Sequence, residues 1–62
     1  MGQLVVHQIK GEASRLDKFL VVNIPKYSRS VWREMINNGS VQVNGRVVKP
    51  HLLVKEGDII TW

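Results

Sequence analysis

With 62 residues, the chain has room for one domain and a small core, because a chain this short buries only about 60% of the surface its unfolded form exposes. It has no cysteine, which excludes disulfide staples and thiolate metal sites and suits an intracellular, cytoplasmic setting. Nine Lys and Arg against five Asp and Glu give a formal net charge of +4, an excess that points to a polyanion or an anionic surface as partner, with solubility alone as the competing explanation.

The longest apolar runs, residues 4–6 and 19–22, fall far short of the roughly 20 residues a membrane-spanning helix needs. Nothing resembles a signal peptide. Residues 4–9 are mostly apolar and of extended type, which predicts a strand. Lys10, Gly11, Glu12 and Ala13 break that run. Ser14 and Asp17 stand at the spacing of a capping box, Asp replacing the usual Glu, and predict a helix from Arg15. Its apolar face is Leu16, Phe19 and Leu20, and Ile24 before Pro25 ends it, because a residue preceding proline is pushed out of the helical region.

Ser28 is the predicted N-cap of a second helix, its hydroxyl set to accept a backbone N–H. Tyr27 and Trp32 occupy the two positions of a hydrophobic staple. Val31, Trp32, Met35 and Ile36 form one apolar stripe, and Gly39 is placed to close the helix in a left-handed conformation. Residues 41–43 then alternate, Asn44 and Gly45 give a strong hairpin signal, and residues 46–48 return, pairing Val41 with Val48 and Val43 with Arg46. Residues 52–54 and 59–61 predict two more strands around a Glu56-Gly57 turn. The expected architecture is α+β: a strand, then two helices packed as a pair on a small antiparallel sheet.

At 100° per residue, Arg15 and Lys18 lie about 60° apart on the first helix, clear of its apolar face. Arg29 and Arg33 are one turn apart on the second and border its stripe. Packing through the apolar faces would merge the two basic flanks, with Ser28, Ser30 and the Arg46 hairpin tip nearby. Asp17 and Glu34 fall on other sides, so the basic side is expected to lack internal partners. Arginine there favours bidentate phosphate contacts. For any single arginine the competing reading is a solvated helix edge.

The run Ser14 to Leu20, then Ser28, Arg29 and Ser30, the run Gly39 to Gly45, Pro50, and Gly57, Asp58, Ile59 and Ile60 together resemble the RNA-binding domain named after small-subunit ribosomal protein S-four. The likeness covers about residues 14 to 60. Residues 25–30 look most like the copy at the N-terminus of large-ribosomal-RNA pseudouridine synthases. The resemblance implies a fold of alpha-L type that holds structured RNA mainly by its backbone. It carries RNA contacts to Arg15, Lys18, Ser28, Arg29 and Arg33 and to the turn Asn44, Gly45 and Arg46, with Ser30 and Lys49 beside them. Asp17 matches a family position but is acidic, and is assigned to capping or to orienting a neighbouring arginine. Arg15, Leu16 and Asp17 also echo the catalytic motif of pseudouridine synthases. The polar residues that follow that motif are here Lys18, Phe19 and Leu20, and a chain of this size cannot hold that catalytic fold.

His7 and His51 are isolated, so no metal or other cofactor is expected, and neither Ser28 nor Ser30 has a base placed beside it to make it a nucleophile. Trp32 reads as core rather than as a stacking platform. Trp62 either packs on the sheet or marks a contact with material beyond it. The expected function is the binding of ribosomal or transfer RNA by a monomeric, non-catalytic domain, the RNA-targeting part of a longer protein such as a pseudouridine synthase. The alternatives are a duplex-DNA binder, since two helices joined by a turn faintly suggest a helix-turn-helix, and a protein-interaction module using the apolar strand edges.

Overall fold

A computed structural model describes residues 2–7 and 14–62. Its elements in chain order are β1 (Gln3–Val5), α1 (Leu16–Asn23), α2 (Arg29–Asn37), β2 (Gln42–Val43), β3 (Arg46–Val47) and β4 (Ile59–Thr61). The strands form one antiparallel sheet in the order β1-β4-β2-β3, and the two helices pack as a pair against it, the α+β arrangement expected. Ile60, in the central strand, is paired with Leu4 on one side and Val43 on the other. Ile60 and Val43, with Val6, Leu16, Phe19, Leu20, Trp32, Ile36, Val41 and Val54, make the core, and Leu4 packs against it.

The second helix follows its local signals. Ser28 Oγ accepts the Val31 N–H at 3.3 Å, and Gly39 takes a positive φ of 86°, where Ser40 and Val41 both donate to the Met35 carbonyl. Tyr27 meets Trp32 edge to face with centroids 5.0 Å apart, as a staple requires. Trp32 is fully buried, its Nε1 donates to the Ile24 carbonyl at 3.2 Å, and its other edge contact is Trp62 at 5.9 Å. Trp62 therefore packs inward, and its backbone exchanges two hydrogen bonds with Gly2. The hairpin register pairs Val43 with Arg46, and Asn44 and Gly45 both have positive φ, 53° and 77°, the primed turn whose twist matches the strands.

Three expectations are corrected. The first helix starts at Leu16, with Arg15 as an extended N-cap that makes no side-chain cap bond, so the Ser14–Asp17 capping box does not form. The reason is that the first-turn donors are taken by the returning chain: Leu16 donates to the Leu52 carbonyl at 2.8 Å and Asp17 to the Pro50 carbonyl at 3.2 Å. The same bonds explain why residues 52–54 are not a sheet strand. They lie along the start of α1, with an isolated antiparallel bridge between Arg15 and Leu53 and the Val54 N–H donating to the Ser14 carbonyl at 2.9 Å. The first strand is shorter than residues 4–9 and begins one residue earlier, at Gln3; Gln8 and Ile9 lie outside the described residues.

Replacing Trp32 by alanine removes the largest buried side chain and should cost about 3–5 kcal/mol, enough to unfold most of a domain this small. Val22→Ala, at a position 69% exposed, should leave the urea midpoint within error of the parent chain.

Candidate nucleic-acid interface

The site is assembled around Asp17, whose side chain is fully buried. One carboxylate oxygen, Oδ1, accepts the Lys18 N–H at 2.8 Å, so it satisfies a free donor in the first turn of α1, where a negative charge also suits the helix dipole. The other, Oδ2, is shared by arginines from three places in the chain. Arg15 Nη2 donates to it at 3.2 Å. Arg29 reaches it from the first position of α2 through both Nε at 3.4 Å and Nη2 at 3.3 Å. Arg33, one turn further along α2, brings its Nε to 3.9 Å.

This arrangement corrects the expectation that the basic side lacks an internal partner. The error has a geometric source. Arg15 is extended, with ψ 142°, so helical angles do not apply to it, and a first-turn carboxylate at the helix–helix contact reaches across to the neighbouring helix. One carboxylate against three guanidinium groups still leaves two positive charges in excess. The arginine side chains remain 46%, 50% and 56% exposed for Arg15, Arg29 and Arg33, so each keeps donors facing water. Half-exposed guanidiniums of which two, Arg15 and Arg29, are hydrogen-bonded to one carboxylate can meet phosphate oxygens in a bidentate manner.

The remaining predicted residues fall into two places. Lys18 is exposed in the first turn of α1, and Ser28 and Ser30 are exposed at the start of α2; the Ser28 hydroxyl already serves as cap acceptor. Asn44, Gly45 and Arg46 form the hairpin tip, which is tied elsewhere. The Asn44 side chain donates to Asp58 Oδ1 at 3.1 Å and accepts the Ile59 N–H at 3.0 Å. No ion pair joins Arg46 or Lys49 to the Asp17 cluster among the described residues. Sequence reasoning left out Lys55, which lines a groove with Arg46. It sits two residues before the Gly57 turn, and only its charge marked it. Among the described residues, no three His, Cys, Asp or Glu side chains are grouped to hold a metal ion, and no helix is long and apolar enough to cross a membrane.

The S4 domain family matches residues 14–60. The chain belongs to that family of RNA-binding modules. Among its relatives is an uncharacterized RNA pseudouridine synthase of Aquifex aeolicus, 37% identical over 59 residues that make up 94% of this chain and 19% of that protein. Another is the RQC P-site tRNA stabilizing factor of Halalkalibacterium halodurans, 46% identical over 44 residues, 71% of this chain and 50% of that one. Among solved structures, the trimeric Heat Shock Protein 15 of Vibrio cholerae superposes with a TM-score of 0.73 at 39% identity, covering 79% of this chain and 50% of that one. The S4 chain thus spans half or less of the length of each of these proteins.

Asp17→Asn keeps the shape but loses the charge on the hub, and should lower unfolding free energy by about 1–3 kcal/mol, as expected for hydrogen bonds to a charged group. Arg33→Ala, at the rim of the cluster, should cost under about 1 kcal/mol. Urea denaturation of the two variants measures both.

Proposed function

We propose that this S4 domain binds structured RNA, ribosomal or transfer, by laying its ribose-phosphate backbone on the Asp17-centred arginine cluster. The observation that carries the reading is the convergence of Arg15, Arg29 and Arg33 on one buried carboxylate oxygen. Lys18 extends the patch along α1, Ser28 and Ser30 offer hydroxyls at its edge, and Asn44, Gly45, Arg46 and Lys49 make a second contact at the hairpin. Contacts of this kind fix position and shape rather than base sequence, which suits A-form RNA with its exposed 2′-hydroxyls. The domain itself performs no chemistry in this reading. It serves as the RNA-targeting part of a larger cytoplasmic protein, a role supported by its likeness to a pseudouridine synthase of which it would be about a fifth. The transfer-RNA option is supported by the likeness to a factor named for P-site tRNA.

Asp17 acts here as a positioning residue, and two opposing terms set the sign of its effect. A carboxylate about 4 Å from a bound phosphate repels it by about 1 kcal/mol in bulk water and by about 4 kcal/mol at the effective dielectric of a protein surface. Freeing Arg15 and Arg29, which hydrogen-bond to Asp17, costs about 0.5–1.5 kcal/mol for each one that must be ordered again on binding. The two terms are of similar size, so the reading requires the ordering to be the larger, and the binding of Asp17→Asn gives the sign.

With about four phosphate contacts, log affinity plotted against log salt should fall with a slope of about −3 to −4, so that raising salt from 50 to 200 mM weakens binding on the order of a hundredfold. A flat salt response would contradict phosphate binding. In the same titration Asp17→Asn should weaken binding by about threefold to tenfold, whereas a mere counter-charge would give tighter binding when removed.

A further inference from the structure

Two adjoining grooves lie along the segment 48–55, and both are lined by Val48, Leu52 and Leu53. The first, about 450 Å³, adds Arg46 and Lys55; the second adds Lys49 and His51. Leu53 is 53% exposed, so the core does not account for it. Asp58 also lines the first groove and keeps its negative charge there, its oxygens accepting the Lys55 N–H at 2.8 Å and the Asn44 side-chain amide at 3.1 Å, so Arg46 and Lys55 leave the groove with one positive charge in excess. The side chains of Arg46, Lys49 and Lys55 make no ion pair among the described residues. An apolar strip with cations beside it is the complement of a nucleotide, whose flat base is apolar on its faces and whose links carry phosphate.

We infer that this groove receives one unpaired nucleotide of the bound RNA, its base against Val48, Leu52 and Leu53 and its neighbouring phosphates on Arg46 and Lys55. The inference rests on the RNA reading above and gives it a specificity element. Backbone contacts tie the wall of the groove to Arg15 of the arginine patch. Arg15 is bridged to Leu53, and the Leu16 N–H donates to the Leu52 carbonyl at 2.8 Å, so a nucleotide splayed out of an RNA lying on Arg15 has the groove wall beside it. A base inside a helix cannot enter, because A-form stacking holds it, whereas a bulged base is free to be splayed out. Clefts that enclose small ligands run from about 300 to 1,000 Å³, and the first groove falls in that range.

The test is fluorescence anisotropy at fixed salt with the 62-residue chain, using a fully paired RNA hairpin, hairpins with a single bulged nucleotide at successive positions, and abasic versions of the same bulges. The expected result is that at least one bulged hairpin binds about fivefold to tenfold tighter than the paired one. Removing the base, or making Leu53→Ala, should abolish that gain while leaving paired-hairpin binding and the thermal midpoint unchanged. Arg29→Ala should weaken all the RNAs by one common factor. Equal affinity for every bulged and paired hairpin, or a Leu53→Ala loss shared by both kinds, would overturn the groove assignment and leave the arginine patch standing. Failure to bind any hairpin would overturn the RNA reading and the groove together.

Discussion

The arginine cluster of this domain is built on one oxygen atom. Asp17 Oδ2 sits in a fully buried side chain and is approached by three guanidiniums that start 2, 12 and 16 residues away. Burying a carboxylate is costly unless it is paired and hydrogen-bonded, and here the cost is offset twice over, since Oδ1 is used by the α1 N-terminus and Oδ2 by the arginines. In return the carboxylate does what a small scaffold cannot otherwise do. It gathers long, flexible cationic side chains in one patch and cancels only one of their three charges.

The rest of the fold supports that oxygen. The chain returning through residues 50–54 gives its carbonyls to the start of α1, which fixes where Asp17 stands relative to Arg15. Trp32, wedged between Tyr27 and Trp62 and bonded to the Ile24 carbonyl, sets α2 against the end of α1, and so sets Arg29 and Arg33 opposite Asp17. The Asn44 side chain, bound to Asp58 and Ile59, fastens the hairpin tip to the central strand. Each of these is a contact between distant parts of the chain, which is how 62 residues keep a defined surface with a modest core.

The legibility of the sequence divides along the same line. Ser28 as N-cap, Tyr27 with Trp32 as staple, Gly39 as helix stop and Asn44-Gly45 as hairpin turn are all decided within four or five residues, and all were readable. What failed was decided by partners far away in sequence. Ser14 has the spacing of a cap, yet the donors it would satisfy are claimed by Pro50 and Leu52. Residues 52–54 have the composition of a strand, yet their hydrogen bonds go to the start of a helix. Asp17 seemed to face away from the arginines because angles on an ideal helix were applied to Arg15, which is not in the helix. Its ion pairs nevertheless fit the role in orienting arginines that the family likeness had suggested. The convergence of Arg15, Arg29 and Arg33 was legible from their flanks, whereas the separate setting of Arg46 and the groove beside Lys55 needed the fold.

The most direct measurement of the central claim is the nitrogen-15 NMR spectrum of the arginine Nε–Hε groups, free and with a structured RNA added. Arg29, whose Nε donates to the carboxylate, should give a dispersed, rigid signal already in the free chain, before any ligand arrives, and that signal should move when RNA binds. An overlapping, mobile signal typical of solvated arginine in the free chain, or a dispersed signal that RNA leaves unmoved, would contradict a preorganised phosphate-binding cluster.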